Sequence, residues 1–160
     1  RVRQALAASD RDALAAADVG YTLDVLQGRL RQLAGGRASV ARHGQHLALD
    51  LSRSVAFEPA GPRPGPGADA MLAPLGRLLA DYRQVLATVR VSAADAASGN
   101  DPRLAQARAV AVAQALADAG VAKSRIVVVG TTGARAGAGP RVEVQLDPVL
   151  RAAPVRAPSR

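Results

Sequence analysis

Cysteine is absent, which removes disulfide scaffolds, zinc ribbons, iron–sulfur ligation and cysteine nucleophiles at once. Aromatic residues are almost absent too: Tyr21, Phe57 and Tyr82 stand without a tryptophan. A core must therefore be built from Leu, Val and Ala. No apolar run approaches the roughly 18–20 residues of a membrane span. Lysine is reduced to Lys123, so the basic charge is carried almost wholly by arginine. Arginine forms no block of five or six, and no basic arm is visible.

What is present suits one aliphatic domain with appendages. The chain has 160 residues, 49% of them hydrophobic, and a domain of that size buries on the order of two-thirds of its unfolded surface. Basic residues number 21 against 13 acidic, a formal net charge of +8. That balance favours acidic partners such as nucleic acid, anionic lipid or a carboxylate-rich polymer. The sequence begins at Arg1, so an export signal or membrane anchor is expected upstream.

Hydrophobic period divides the chain. Residues 1–17 are Ala-rich and read as helical. Asp18 is placed to cap a helix in which Val19, Leu23, Leu26, Leu30 and Leu33 form one stripe, stopped by Gly35-Gly36. The period then changes to two: Leu47, Leu49 and Leu51 mark a half-buried strand, paired with 38–43 through a turn at His43-Gly44. Prolines at 59, 62, 64 and 66 make the next stretch a loop. Asp69 opens a helix with Leu72, Leu75, Leu79 and Tyr82 on one face, and Pro74 should kink it or shift its start.

Residues 87–92 form a strand with Val89 and Val91 inward. Asp101-Pro102 begins a helix running to Gly120. The apolar run 125–129 suits a central strand with both faces occupied. A glycine-rich loop follows, then a strand with Val142, Val144 and Leu146 inward, and a disordered tail from Pro148. The expected fold class is α/β: a two-layer β-α-β-α-β-β sandwich, a mixed sheet with helices on one face, preceded by an N-terminal helical segment. The expected organisation is a helical segment over 1–36, a domain over 37–148 and a tail over 149–160.

Catalytic chemistry finds little footing. His43 and His46 sit at the hairpin turn without a carboxylate cluster of metal-ligand character. No serine has the setting of a hydrolase nucleophile. The glycines at 130, 133, 137 and 139 lead into a strand, so no helix N-terminus awaits a phosphate. No cofactor and no metal is expected, and the chain reads as non-enzymatic.

One residue breaks its pattern. At about 100° per residue from Leu104, Ala105, Ala109, Val112 and Leu116 cluster near 80–140°. Arg108 falls at about 40°, on the flank of that apolar face, where a charge needs a partner. Asp95, just beyond strand 87–92, is available. The pair reads either as a structural ion pair or as a site with one anion-binding and one cation-binding group, suited to a zwitterion.

Segment order adds a resemblance. LALDLSRSVAF, MLAPLGRLLADY, VRVSAAD, GND, LAQARAVAV, RIVVVG and GPRVEVQL follow one another over roughly residues 38–147. This is similar to the OmpA-like (OmpA/MotB) C-terminal domain, the soluble peptidoglycan-binding module of Gram-negative envelope proteins. The resemblance implies that Asp95 takes the ammonium and Arg108 the carboxylate of diaminopimelate. It also puts Leu104 and Arg141 at family positions, with Asn100 or Asp101 near the family asparagine and Asn100 taken as the site residue. It further implies a periplasmic protein tethered to the outer membrane and bound to peptidoglycan.

Departures stand beside it: Ser92-Ala93-Ala94 replaces G-H-T, Ala105 replaces Ser, and Gly139-Pro140 replaces N-R. They leave open an alternative in which the same fold serves as a protein-interaction module of the envelope. A nucleic-acid-binding module, prompted by the charge, lacks stacking aromatics on its strands and an arginine row on a helix.

Overall fold

A computed structural model describes residues 14–95, 99–132 and 140–150, without the side chains of 94, 95, 99 and 100. The expected helix over 1–13, the loop over 133–139 and the tail over 151–160 lie outside the described residues.

Helix α1 (Val19–Ala34) buries Val19, Leu23, Leu26 and Leu30 of the expected stripe; Leu33 is half-buried, and Ala34 takes the buried place in the last turn. Asp18 holds the cap position without a side-chain hydrogen bond. Gly35 ends the helix at φ +53°, a left-handed conformation that glycine adopts without Cβ strain, and its N–H donates to Arg31 O. Strands β1 (Ser39–His43) and β2 (His46–Asp50) pair antiparallel, from Ser39 opposite Asp50 to His43 opposite His46. Helix α2 (Asp69–Ala80) runs continuously through Pro74, with no shift of its start. Strand β3 (Val85–Ser92) precedes a short hairpin of β4 (Ala94–Asp95) and β5 (Gly99–Asn100). Helix α3 (Pro102–Asp118) starts as the sequence predicts, Asp101 accepting from Arg103 N–H at 2.9 Å with proline at the first helical position. Strands β6 (Ile126–Thr131) and β7 (Arg141–Pro148) complete the chain.

The sheet order is β1-β2-β7-β3-β6. Only β3 and β6 run parallel; the other neighbours are antiparallel. Inward residues Leu47, Leu49, Val89, Val91, Val142, Val144 and Leu146 meet the buried faces of α1, α2 and α3 in one cluster. Polar Thr88, Arg90, Glu143 and Gln145 occupy the alternate positions, and Arg90 Nη1 donates to Gln145 Oε1 at 2.6 Å. The protein is thus the expected mixed α/β sandwich, with helices layered on one face.

Four expectations need correction. Strand β6 is at the sheet edge, not its centre. Its apolar run has another cause: Ile126 and Val128 pack on the main core, while Val127 packs with Leu86 and Val149 on the opposite face. Both faces are occupied although one edge has no strand among the described residues. Arg125 belongs to a 3-10 turn (Lys123–Arg125) before that strand. The start of the expected tail is ordered: Pro148 ends β7, Val149 is buried, its N–H bonds Gln84 O at 2.7 Å, and Leu150 bridges to Leu14. That bridge, with Leu14 N–H donating to Val149 O at 2.8 Å and a 3-10 turn at Ala16–Asp18, also replaces helix at the end of the 1–17 segment.

Two glycines set the helix layer. A Cβ at Gly76 would lie 2.5 Å from Ala119 Cβ, so α2 and the end of α3 approach closely. A Cβ at Gly130 would lie 2.5 Å from Gln106 N, which presses the first turns of α3 against β6. Gly130 N–H also donates to Gln106 Oε1 at 2.9 Å. The close approach fixes the height of the helical segment that carries Arg108.

Candidate ligand site

Helix α3 presents Ala105, Ala109, Val112 and Leu116 to the core, and Arg108 lies among them. Arg108 is 0% exposed, deeper than the flank position its periodicity predicts. A guanidinium in such a place must have its hydrogen bonds satisfied by protein. The proline-rich loop between β2 and α2 supplies partners. Arg108 Nε donates to Gly61 O at 2.9 Å, and Nη2 donates to Glu58 O at 3.1 Å. The Phe57 ring lies 4.8 Å from the guanidinium carbon, within range of a cation–π contact.

The loop is itself ordered by backbone bonds. Phe57 bridges to Pro64, Glu58 N–H donates to Arg63 O at 3.2 Å, and Gly61 N–H donates to Glu58 O at 3.0 Å. Ala60 has φ +55°, a left-handed conformation that costs a residue with a Cβ roughly 1–2 kcal/mol. The sequence marked this stretch as a loop and nothing more. The single phenylalanine was a visible signal there; backbone carbonyls left none.

The other predicted site residues divide. Asp95 and Asn100 belong to the β4–β5 hairpin, Asp95 opposite Gly99 and Asn100 opposite Ala94, immediately before the cap of α3. Leu104 is half-buried in the first turn of that helix, one turn before Arg108. Hairpin, cap and the first turns of the helix therefore follow one another in the chain ahead of Arg108.

Arg141 is the exception. It opens β7 at a position alternate to the inward Val142, and its guanidinium Nη2 is 3.9 Å from Asp50 Oδ2. With Asp50, Glu143, His43 and His46 it lines a hollow of about 220 Å³ on the sheet face away from the helices. The structure does not bring its side chain to Arg108. Its backbone contributes instead: Arg141 N–H donates to Ser92 Oγ at 3.1 Å. Ser92, standing in place of the family glycine, thus ties the two strands together.

No family model matches the chain. A protein of Escherichia coli named "Probable lipoprotein YiaD" is 33% identical over 111 residues, 68% of this chain and 50% of that protein. The chain thus spans about half the length of this curated relative. Among solved structures, a MotB-like protein of Desulfovibrio vulgaris aligns with 92% of this chain and 99% of its own, at TM-score 0.67 and 18% identity. The OmpA-like domain of FopA1 from Francisella tularensis aligns with 72% of this chain and 83% of its own, at TM-score 0.53 and 20% identity. The periplasmic domain of Helicobacter pylori MotB aligns with 69% and 79%, at TM-score 0.59 and 16% identity. The resemblance read from the segment order is matched in three dimensions, and the chain has the fold of the OmpA-like and MotB periplasmic domains.

Proposed function

We propose that this chain is a non-catalytic module of the bacterial envelope that binds peptidoglycan from the periplasmic side. In this reading Asp95 receives the ammonium and Arg108 the carboxylate of a diaminopimelate side chain, with Asn100 and Leu104 beside them. The observation that carries it is the burial of Arg108 at the position the family resemblance marks. An arginine wholly inside an aliphatic core costs stability unless it is held, and one that also falls at the family's ligand position is a candidate to hold a ligand's charge. The fold and the lipoprotein relative support an envelope setting; tethering of the outer membrane to the wall is the role we propose within it. We place the peptidoglycan-binding unit over residues 37–148.

Binding to diaminopimelate-type sacculi at physiological salt tests the reading. Wild-type protein should be retained, while Arg108→Lys and Asp95→Asn should each pass through. Lysine keeps the charge but lacks the fork that grips a carboxylate with two bonds. Wild-type protein that is not retained would overturn the proposal. A second reading, an interaction module of the same fold, is favoured by one specific observation: Arg108 is already bonded to two carbonyls of the loop between β2 and α2.

A further inference from the structure

The edge of a guanidinium formed by Nε–H and one terminal N–H is the fork that takes a carboxylate through two parallel hydrogen bonds. In Arg108 this edge faces Gly61 O at 2.9 Å and Glu58 O at 3.1 Å. Two backbone oxygens of one turn therefore stand where the two oxygens of a carboxylate would. The same turn is closed by Gly61 N–H to Glu58 O, hemmed by Pro59 and Pro62, and carries Ala60 at φ +55°. It is stiff, and it is strained.

We propose that the Glu58–Gly61 turn is an internal stand-in for the ligand carboxylate and determines which ligands the Arg108 site accepts. The proposal rests on the peptidoglycan reading above. A ligand reaches the fork of a fully buried arginine only when the turn lets go. Neutral hydroxyl and amide oxygens gain nothing over the carbonyls they would displace. A carboxylate does gain: the carbonyl bonds carry only the charge of the arginine, whereas a carboxylate adds the opposite charge and a matching two-pronged fit, an attraction that is strong away from water. The turn thus rejects the abundant neutral groups of a glycan and its peptides and yields to the carboxylate. Strain at Ala60 lowers the cost of yielding.

Two substitutions remote from the ligand's own contacts should move binding in opposite directions. Pro62→Gly widens the freedom of the released turn, so retention on diaminopimelate-type sacculi should rise about two- to five-fold. Ala60→Gly removes the left-handed strain and favours the docked turn, so retention should fall about two-fold. A readout without ligand accompanies them: exchange of the Arg108 Nε proton with water, followed by NMR, should quicken in Pro62→Gly and slow in Ala60→Gly. Retention and exchange that move together as stated support the stand-in. Wild-type and both variants retained equally, or retention falling in Pro62→Gly, overturns it and leaves the peptidoglycan reading intact. Loss of retention in all three proteins removes the peptidoglycan reading and the stand-in with it.

Discussion

Among the described residues two arginines are buried, and they are held in different ways. Arg125, 5% exposed, reaches the C-terminal end of α2, where Nη2 donates to Leu79 O at 3.3 Å and Nη1 donates to Tyr82 O. Carbonyls at a helix end carry partial negative charge, so a cation is favoured there; Leu79 O and Tyr82 O, the latter just past the helix, also accept from Tyr82 N–H and Val85 N–H of the following turn. Arg108, 0% exposed, is held instead by a strained loop turn and an aromatic ring. The first arrangement belongs to the scaffold. The second is the arrangement proposed above to exchange its oxygens for those of a ligand.

Substitutions separate the two. The largest effect is expected for Arg108→Ala, which leaves Glu58 O and Gly61 O without the guanidinium and opens space in the core. Unfolding free energy should fall by about 2–4 kcal/mol in urea titration, and retention on sacculi should vanish. Arg125→Ala should cost a similar or slightly smaller amount, about 2–3 kcal/mol, yet the folded fraction should bind sacculi as wild type does. Equal loss of binding in both variants would erase the distinction.

Gly130→Ala sharpens the comparison from the backbone side. Its Cβ would meet Gln106 N at 2.5 Å, so the first turns of α3 must move outward. Overpacking of this kind costs about 1–3 kcal/mol. Because the displaced turns carry Arg108 and not Arg125, binding should weaken more than stability alone explains, as a titration corrected for folded fraction would reveal. The smallest effect is expected for Phe57→Leu. Loss of a desolvated cation–π contact should lower thermal stability by about 0.5–2 kcal/mol, while Phe57→Tyr should restore it.

Much of the fold was legible because period reports the buried face. The Leu stripe of α1, the alternation at Leu47 to Leu51 and the Asp101-Pro102 start of α3 were each written locally. Neighbours are not written locally. Ile126 to Val129 looked central because both faces are covered, but face burial does not specify what lies along the strand edge. Arg108 was visible as a break in the apolar pattern; Arg125 was not, since it lies in a turn with no period to break. Arg141 matched a family position by order alone, while its place in β7 turns the side chain toward Asp50. The turn that holds Arg108 acts through carbonyl oxygens, which every residue has, so its role became readable only in three dimensions.

The most direct measurement compares Arg108→Lys and Arg125→Lys side by side on diaminopimelate-type sacculi at physiological salt, each corrected for folded fraction by circular dichroism. Both keep a cation and both lose the guanidinium fork. Arg108→Lys should lose retention and Arg125→Lys should match wild type; equal retention of the two variants would contradict a ligand role for the Arg108 fork.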